Sequence, residues 1–249
     1  MGAIGQNFHV LACVDSTNNY AMAQVHSGAA RQGETYFALE QTAGRGQRGK
    51  KWVTTAGENI LMSTVLYPAP LPASCLPLFN MSVALGCHQL LQPFLQEKIK
   101  IKWPNDLYCN DRKAGGILIE NGFQGNQWQF AIVGIGLNIN QINFPSHLPN
   151  PTSVKQVLGR DTDVLVLAKS LCGLLEHNYR RLLQGESKTL LHEYNQALYK
   201  RHETVSLRQG NLTFPALVEG VDEQGCLLVQ SSQLQRIQTG EVEWMMEGN

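Results

Sequence analysis

Residues 44–52 limit the fold of this chain more strongly than any other segment. They carry three glycines and four positive charges and end in a tryptophan. The flanking residues 36–40 and 59–67 have the apolar character of strands, so we predict a loop held between two strands. Glycine permits close backbone approach to a ligand, arginine offers a planar fork for phosphate or carboxylate, and an indole offers a flat face for a base. This segment, called the Gly/Arg loop below, indicates a nucleotide site; the alternative is a solvated basic surface loop.

The remaining periodicity predicts an α+β fold, a mixed β-sheet flanked by helices. Further strands are predicted at residues 8–14, 98–103, 116–120 and 129–138, and helices after Asp15, over 78–91, from Asp163 and over 190–199. We expect 116–120 and 129–138 to form a hairpin across a turn-rich segment at 121–126. After about residue 202, short alternating runs separated by glycines predict a small all-β unit. The domain prediction is therefore 1–200 and 201–249.

Composition excludes several function classes. Twenty Lys plus Arg balance twenty Asp plus Glu, so no global charge favours nucleic acid or an anionic membrane. No apolar run approaches the roughly 18 to 20 residues that a membrane helix needs. The six cysteines are scattered without a CxxC pair, which is typical of a reducing compartment, and we expect a cytoplasmic protein. The run that begins at His192 has Gln196 where a zinc helix needs a second histidine, so no metal site made by the protein alone is predicted.

Polar residues at two predicted element ends are candidate ligand groups. Ser16, Thr17 and Asn18 place two hydroxyls and an amide at a helix start, where backbone N–H groups are also unsatisfied. They suit a small polar head group; the alternative is an ordinary N-cap. Lys102 ends a strand before a proline-fixed turn that presents Asn105 and Asp106. That turn suits a ribose, a metal ion or an amine, and the alternative is a turn closed by its own side chains.

Two glycine-containing strand segments complete the candidates. Lys113 precedes Gly115 and Gly116 at the entry to an apolar strand, where its ammonium can neutralise a carboxylate and a phosphate; the alternative is a lysine that reaches solvent from a strand end. Residues 134–138 alternate two glycines with apolar residues and end at Asn138. Glycine within a strand indicates close approach of a backbone or a ligand. The segment lacks the context of a dinucleotide fingerprint, and the chain has no Walker-type lysine motif.

Five segments in this order closely resemble the catalytic domain of biotin protein ligases. They read DSTNN, EQTAGRGQRGKKW, KWPNDLY, KAGGILIE and GIGLNIN, and the resemblance covers about residues 14–140. It implies a class II synthetase-like sheet with a small C-terminal SH3-like β-barrel. It also implies that biotin and MgATP give biotinyl-5′-AMP, after which a lysine of the biotin carboxyl carrier domain of a carboxylase displaces AMP. ATP, Mg²⁺ and biotin are then the ligands, with Mg²⁺ carried by ATP near Asp106.

The resemblance also implies residue roles. Lys113 and Arg45 are the expected catalytic residues. The residues expected to contact biotin are Ser16, Thr17, Asn18, Gln41, Arg45, Gly46, Gln47, Lys113, Gly115 and Gly116. Those expected to contact ATP, its metal or the incoming lysine are Arg45, Arg48, Trp52, Lys102, Asn105, Asp106 and Asn138.

Two departures from the family pattern carry expectations. Many members have arginine where Gln47 stands, so we expect weaker retention of the adenylate. Only about seven residues precede the fold, so we expect the short form without the N-terminal DNA-binding domain and no repressor activity. A homodimer through an exposed strand is possible. The alternatives are a lipoate–protein ligase, a nucleic-acid-binding module that uses the Gly/Arg loop, and an inactive relative that binds biotin without chemistry.

Overall fold

The computed structural model describes residues 2–231 and 233–245, which form a seven-stranded mixed sheet with helices on both faces and a second, five-stranded sheet. The strands are β1 (Phe8–Val14), β2 (Thr35–Gln41), β3 (Asn59–Leu66), β4 (Ile99–Lys102), β5 (Asp106–Cys109), β6 (Arg112–Gln124), β7 (Gln127–Asn138), β8 (Thr204–Gln209), β9 (Leu212–Val221), β10 (Leu227–Gln230), β11 (Leu234–Ile237) and β12 (Glu243–Met245). The helices are α1 (Thr17–His26), α2 (Leu76–Leu95), α3 (Val154–Leu158), α4 (Val164–Leu183) and α5 (Ser187–Gln196). The predicted fold class is confirmed.

The main sheet has the order β1-β2-β3-β7-β6-β5-β4, in which β1 and β2 run parallel and the other neighbours antiparallel. The predicted hairpin is present as β6 and β7, but the turn predicted at 121–126 is wrong. β6 continues to Gln124, which pairs with Gln127, so Gly125 and Asn126 alone form the turn. Phe123 and Trp128 stack across the two strands with ring centroids 6.4 Å apart. This cross-strand aromatic pair accounts for a strand in a polar segment.

One face of the main sheet packs against the main hydrophobic core and the other lies beneath α1, as the side chains of β7 show. Val133, Ile135 and Leu137 point into the main core, where the sheet packs against α2 and α4. Ile132 belongs to a smaller cluster beneath α1 on the opposite face. Successive side chains of a strand alternate between faces, so Gly134 and Gly136 lie on the α1 face. The glycines of residues 134–138 therefore open space next to the start of α1.

The helices follow their sequence signals where those signals are strong. α4 begins as predicted at Asp163, whose carboxylate accepts a hydrogen bond of 3.0 Å from the backbone N–H of Val166. α3 was not predicted, because five residues are too few to establish a helical period. β5 was not predicted either, since we expected the residues after Pro104 to form only a turn. The half-buried strand predicted at 98–103 is wrong at Lys102, which is 8% exposed.

The second sheet has the order β11-β10-β9-β8-β12 and is antiparallel throughout. Side-chain hydrogen bonds from the end of β4 and from α5 join it to the rest of the chain. The indole Nε1 of Trp103 donates to the carbonyl of Gly225 at 2.9 Å, and Asn195 bonds to both backbone groups of Val221. Residues 201–249 as a separate domain stay a prediction, and residues 246–249 of that range lie outside the described residues.

None of the helices in the described ranges combines the length and the apolar character that crossing a bilayer requires. The six cysteines are all free thiols, of which Cys87, Cys109 and Cys172 are buried.

Candidate functional site

A pocket lies on the α1 face of the main sheet, between the start of α1, the Gly/Arg loop and the strands β5 to β7. Its volume is about 460 Å³, measured to its open mouth. The predicted site residues that line it are Ser16, Thr17, Asn18, Gln41, Arg45, Gly46, Gln47, Trp52, Asn105, Asp106, Lys113 and Gly116. Segments separated by up to a hundred residues in the chain therefore meet at one place.

The first turn of α1 forms one end of the pocket. Ser16 is the N-cap residue, but its side chain makes no capping hydrogen bond, so the ordinary N-cap alternative does not explain its hydroxyl. The backbone N–H and the hydroxyl of Thr17 donate to Oε1 of Gln41 at 2.7 and 3.1 Å. The hydroxyl of Ser63 lies 2.7 Å from Oγ1 of Thr17 and 2.6 Å from Oδ1 of Asn18, and its single proton serves one of these two contacts at a time. The hydroxyl and amide groups are thus held in orientation by other side chains of the protein.

The network continues to the Gly/Arg loop through Glu120. Nδ2 of Asn18 donates to Oε2 of Glu120 at 2.7 Å. The guanidinium of Arg45 donates to both carboxylate oxygens of Glu120, at 3.0 and 3.3 Å, and to Oδ1 of Asn19 at 2.7 Å. This arrangement places the charged group of the loop beside the start of α1.

A β-bulge directs Lys113 into the pocket. Leu107 pairs with Gly115 and the next residue, Tyr108, pairs with Lys113, so Ala114 is an additional residue in β6. A bulge of this kind changes the direction in which the neighbouring side chains point. As a result, Lys113 lies on the same side as Gly116, and a Cβ placed on Gly116 would be 3.5 Å from Cε of Lys113. The sequence indicated that Lys113 precedes the strand, but the structure places it within β6.

Lys113 and Asp106 form an ion pair in the pocket wall. Nζ of Lys113 donates to Oδ1 of Asp106 at 2.6 Å, and it lies 5.7 Å from the centroid of the Trp52 ring. Asn105 fixes the adjoining turn, because its Nδ2 donates to the carbonyl of Ile117 at 2.8 Å. Both members of the ion pair are partly exposed to the pocket, with side-chain exposures of 30% and 23%. The pair therefore offers an ammonium and a carboxylate to a ligand.

The two glycines of β7 make room for side chains of the protein itself. A Cβ on Gly136 would lie 2.6–2.9 Å from three atoms of the Trp52 indole, and a Cβ on Gly134 would collide with the amide of Asn18. The sequence predicted approach by a backbone or a ligand; the structure shows that two other pocket residues approach instead. Within the described residues, Nε1 of Trp52 is buried without a hydrogen-bond partner. An unpaired buried N–H costs about 1–3 kcal/mol.

Four predicted site residues do not line the pocket. Gly115 faces the side chain of Leu137. Arg48 extends to Gly240, in the turn between β11 and β12, and its own backbone is in the left-handed region at φ 56°. Asn138 is buried, and its Nδ2 donates to the carbonyl of Thr152 at 2.9 Å, which holds the strand end to the following loop. Their predicted contacts with biotin or ATP stay predictions.

Lys102, the fourth of these residues, is buried under aromatic side chains. Its Nζ is 3.2 Å from the hydroxyl of Tyr108 and 5.6 Å from the ring centroid of Trp244. Burial lowers the pKa of Lys102 to about 8; Asp106 opposes this effect, and Lys113 adds to it. Lys102 does not line the pocket, but it is electrostatically coupled to Asp106 and Lys113, which do.

Sequence reasoning missed Glu120, Ser63 and Asn19. Glu120 follows Gly116 and Leu118 at alternate positions, so the period of the strand would have placed it on the pocket face. Ser63 is a polar residue inside the apolar run 59–67, which is a signal of a buried hydrogen-bonded site. Asn19 carried no comparable signal, because an asparagine in the first turn of a helix is common.

The described residues hold no group of three or more His, Cys, Asp or Glu side chains placed to bind a metal ion. The Asp106 carboxylate is paired with Lys113.

Comparison with known proteins identifies the family to which this chain belongs. Residues 10–138, just over half of the chain, match the model of the biotin/lipoate A/B protein ligase family. The chain belongs to this family. It is 31% identical over 230 residues to a biotin–[acetyl-CoA-carboxylase] ligase from Paracoccus denitrificans, covering 89% of this chain and 93% of that protein. It is 30% identical over 226 residues to the bifunctional ligase/repressor BirA of Salmonella typhimurium, covering 90% and 69%.

A solved structure supports the same fold. Biotin protein ligase from Aquifex aeolicus in complex with biotin and ATP superposes with a TM-score of 0.82 at 24% identity, covering 96% of this chain and 99% of that one. Because the superposition includes nearly all of both chains, the ligase family fold extends to the second sheet.

Proposed function

We infer that this chain is an ATP-dependent biotin–protein ligase. It activates biotin with ATP to biotinyl-5′-AMP and transfers the biotinyl group to a lysine of an acceptor protein. The observation that carries this conclusion is the single pocket that joins a fixed hydroxyl and amide array at α1 to Arg45 and Lys113, in a chain of this family. The array matches a urea, which has two donors and one acceptor.

Lys113 and Arg45 supply the positive charge that the first step needs. An oxygen of the biotin carboxylate attacks the α-phosphorus of ATP, and the bond to pyrophosphate breaks. Two anionic groups must approach each other, so cations fixed at that position lower the barrier. The Lys113 ammonium, held by Asp106 at 2.6 Å, has a defined position within the pocket. Arg45 also lines the pocket and belongs to the Gly/Arg loop. Mg²⁺ arrives with the phosphates of ATP.

Trp52 is proposed to orient ATP, and Asp106 is proposed to take part in proton transfer. The indole, packed on Gly136, presents a ring to the adenine. In the second step the acceptor amine attacks the carbonyl of the mixed anhydride, and AMP leaves. The amine must lose a proton for this attack, and we propose Asp106, a carboxylate that lines the pocket, as the acceptor.

A pyrophosphate exchange assay tests the function directly. We expect ATP–pyrophosphate exchange that depends on biotin, together with detectable biotinyl-AMP, and no comparable exchange with lipoate. Exchange supported by lipoate in place of biotin would instead make the protein a lipoate ligase. Absence of exchange with either acid, in a protein that binds biotin, would identify an inactive relative.

The acceptor and the assembly extend this proposal. We propose the biotin carboxyl carrier domain of a carboxylase as the acceptor and the cytoplasm as the location; six free thiols suit a reducing compartment. β1 lies at one edge of the main sheet, and Val10 within it is 50% exposed. This edge supports a homodimer, because an unpaired strand can pair with a second copy of itself.

A further inference from the structure

The guanidinium of Arg45 binds a carboxylate of the protein itself, that of Glu120. Its two terminal nitrogens contact the two oxygens of Glu120 at 3.0 and 3.3 Å, the two-point geometry in which arginine binds a carboxylate ligand. Arg45 lies in the Gly/Arg loop, whereas Glu120 lies within β6. The cation therefore belongs to a loop, and the carboxylate belongs to a strand of the sheet.

This pairing conflicts with the role of Arg45 in the reaction. A carboxylate at 3 Å neutralises the guanidinium, so the pair adds little net attraction for a second anion. For Arg45 to stabilise the charges of a carboxylate and a phosphate, it must leave Glu120. The side chains are 45% and 24% exposed, so the exchange takes place at the edge of the pocket, where water reduces its cost.

Glu120 retains a partner after such an exchange. Nδ2 of Asn18 donates to its Oε2 at 2.7 Å, and the amide of Asn18 is itself held by Ser63 at 2.6 Å. The carboxylate therefore stays hydrogen-bonded and partly solvated when the guanidinium departs. A group that is stable with and without Arg45 is suited to hold it reversibly.

We propose that Glu120 is a positioning residue that holds Arg45 in the ligand-free enzyme and exchanges it for the anionic centre of the substrate. The proposal rests on the function inferred above. It makes Glu120 an internal competitor of the biotin carboxylate. Removing the charge of Glu120 therefore strengthens the binding of anionic ligands specifically.

The test compares Glu120→Gln with the unsubstituted protein by calorimetry, using biotin and biotinol, in which an alcohol replaces the carboxylate. Exposed ion pairs contribute about 0.2–1 kcal/mol. We therefore expect the ratio of biotin affinity to biotinol affinity to rise by about 1.4- to fivefold in the variant. In an Arg45→Met background, the same substitution leaves the ratio unchanged. Glu97→Gln, at a side chain that is 88% exposed, is the matched control and has no effect.

Glu120→Ala is a second variant and must change the ratio in the same direction, so the test survives failure of one variant to fold. A lower ratio in both variants would show that Glu120 supports Arg45 during binding, and an unchanged ratio would show no competition; either result overturns the proposal. If the unsubstituted protein binds no biotin, the proposed function fails, and this proposal fails with it. If the protein binds biotin and catalyses ATP–pyrophosphate exchange, but the ratio of biotin affinity to biotinol affinity does not change in the variants, only the proposed role of Glu120 is refuted.

Discussion

Replacing Gly136 with alanine is expected to displace Trp52 without altering the main sheet. The three atoms nearest to the added Cβ all belong to the indole, at 2.6, 2.7 and 2.9 Å. Ordinary carbon contacts are about 3.5–4.0 Å, so the overlap is close to 1 Å. Accommodating such overlap in a packed site costs about 1–3 kcal/mol. Because Trp52 belongs to a loop, the indole can leave more easily than β7 can bend.

The measurable effect is on ATP. Stacking of a base on an aromatic ring is worth about 1–3 kcal/mol, so loss of the indole raises the KM for ATP by about 5- to 150-fold in the pyrophosphate exchange assay. The KM for biotin changes much less, since the array at Thr17 is not touched. Gly116→Ala is a steric contrast in the same pocket, because its Cβ would meet Trp52 and Asp106 at an ordinary 3.4 Å. It leaves the indole in place.

A double-mutant cycle with Trp52→Ala decides whether the reasoning is right. In the Trp52→Ala background the overlap no longer exists, so Gly136→Ala is neutral or raises the free energy of unfolding by a few tenths to about 1 kcal/mol, as alanine does where the backbone permits it. It also causes no further loss of ATP affinity. Additive losses in the double variant, or a wild-type KM for ATP in Gly136→Ala, would refute the assigned contact between the strand and the indole.

Three further predictions concern the charged groups and the loop of the site. Lys113→Met lowers biotinyl-AMP synthesis by at least about a hundredfold, as expected for loss of a fixed charge at a reacting group, while thermal unfolding stays close to wild type; unchanged turnover contradicts its role. The pKa of about 8 for Lys102 means that its charge is lost as pH rises through 8. Adenylate synthesis by the wild type is therefore expected to fall in that pH range. Lys102→Met is expected to be less active than the wild type at lower pH and to show no such fall. Amide exchange in the Gly/Arg loop slows when biotin and ATP are added, and equal protection in both states argues against ordering of the loop.

The sequence predicted the parts of the site that depend on short-range chemistry. Ser16, Thr17 and Asn18 followed from the polar residues of a helix start, and the Gly/Arg loop followed from glycine and charge between two strands. These segments converge because the strands that carry them are neighbours in one sheet. The catalytic roles of Lys113 and Arg45 came from a family resemblance and stay proposals, although both residues line the pocket.

Other features depended on three-dimensional placement that local pattern does not contain. Arg48 is a charged residue of the same loop as Arg45, yet it extends to Gly240 of a distant unit. Lys102 alternates with apolar residues as a solvent-facing residue would, but Tyr108 and Trp244 cover it. Glu120 was missed for the opposite reason, because its partner Arg45 is 75 residues away in the chain. Each case depends on which elements become neighbours.

The additional residue Ala114 has a consequence for how this site can change. It shifts the alternation of side chains between the two faces of β6 by one position. The pocket-facing residues before Ala114 and those after it are therefore separated by an odd number of positions. Deleting Ala114 would leave Lys113 opposite Tyr108 in a regular strand and on the same face as Gly116, whereas one more residue inserted beside Ala114 would turn Lys113 away from Asp106. The chemistry at this position is therefore encoded in a count of backbone units as much as in the identity of a side chain. An insertion at this point is therefore expected to be less tolerated than a substitution.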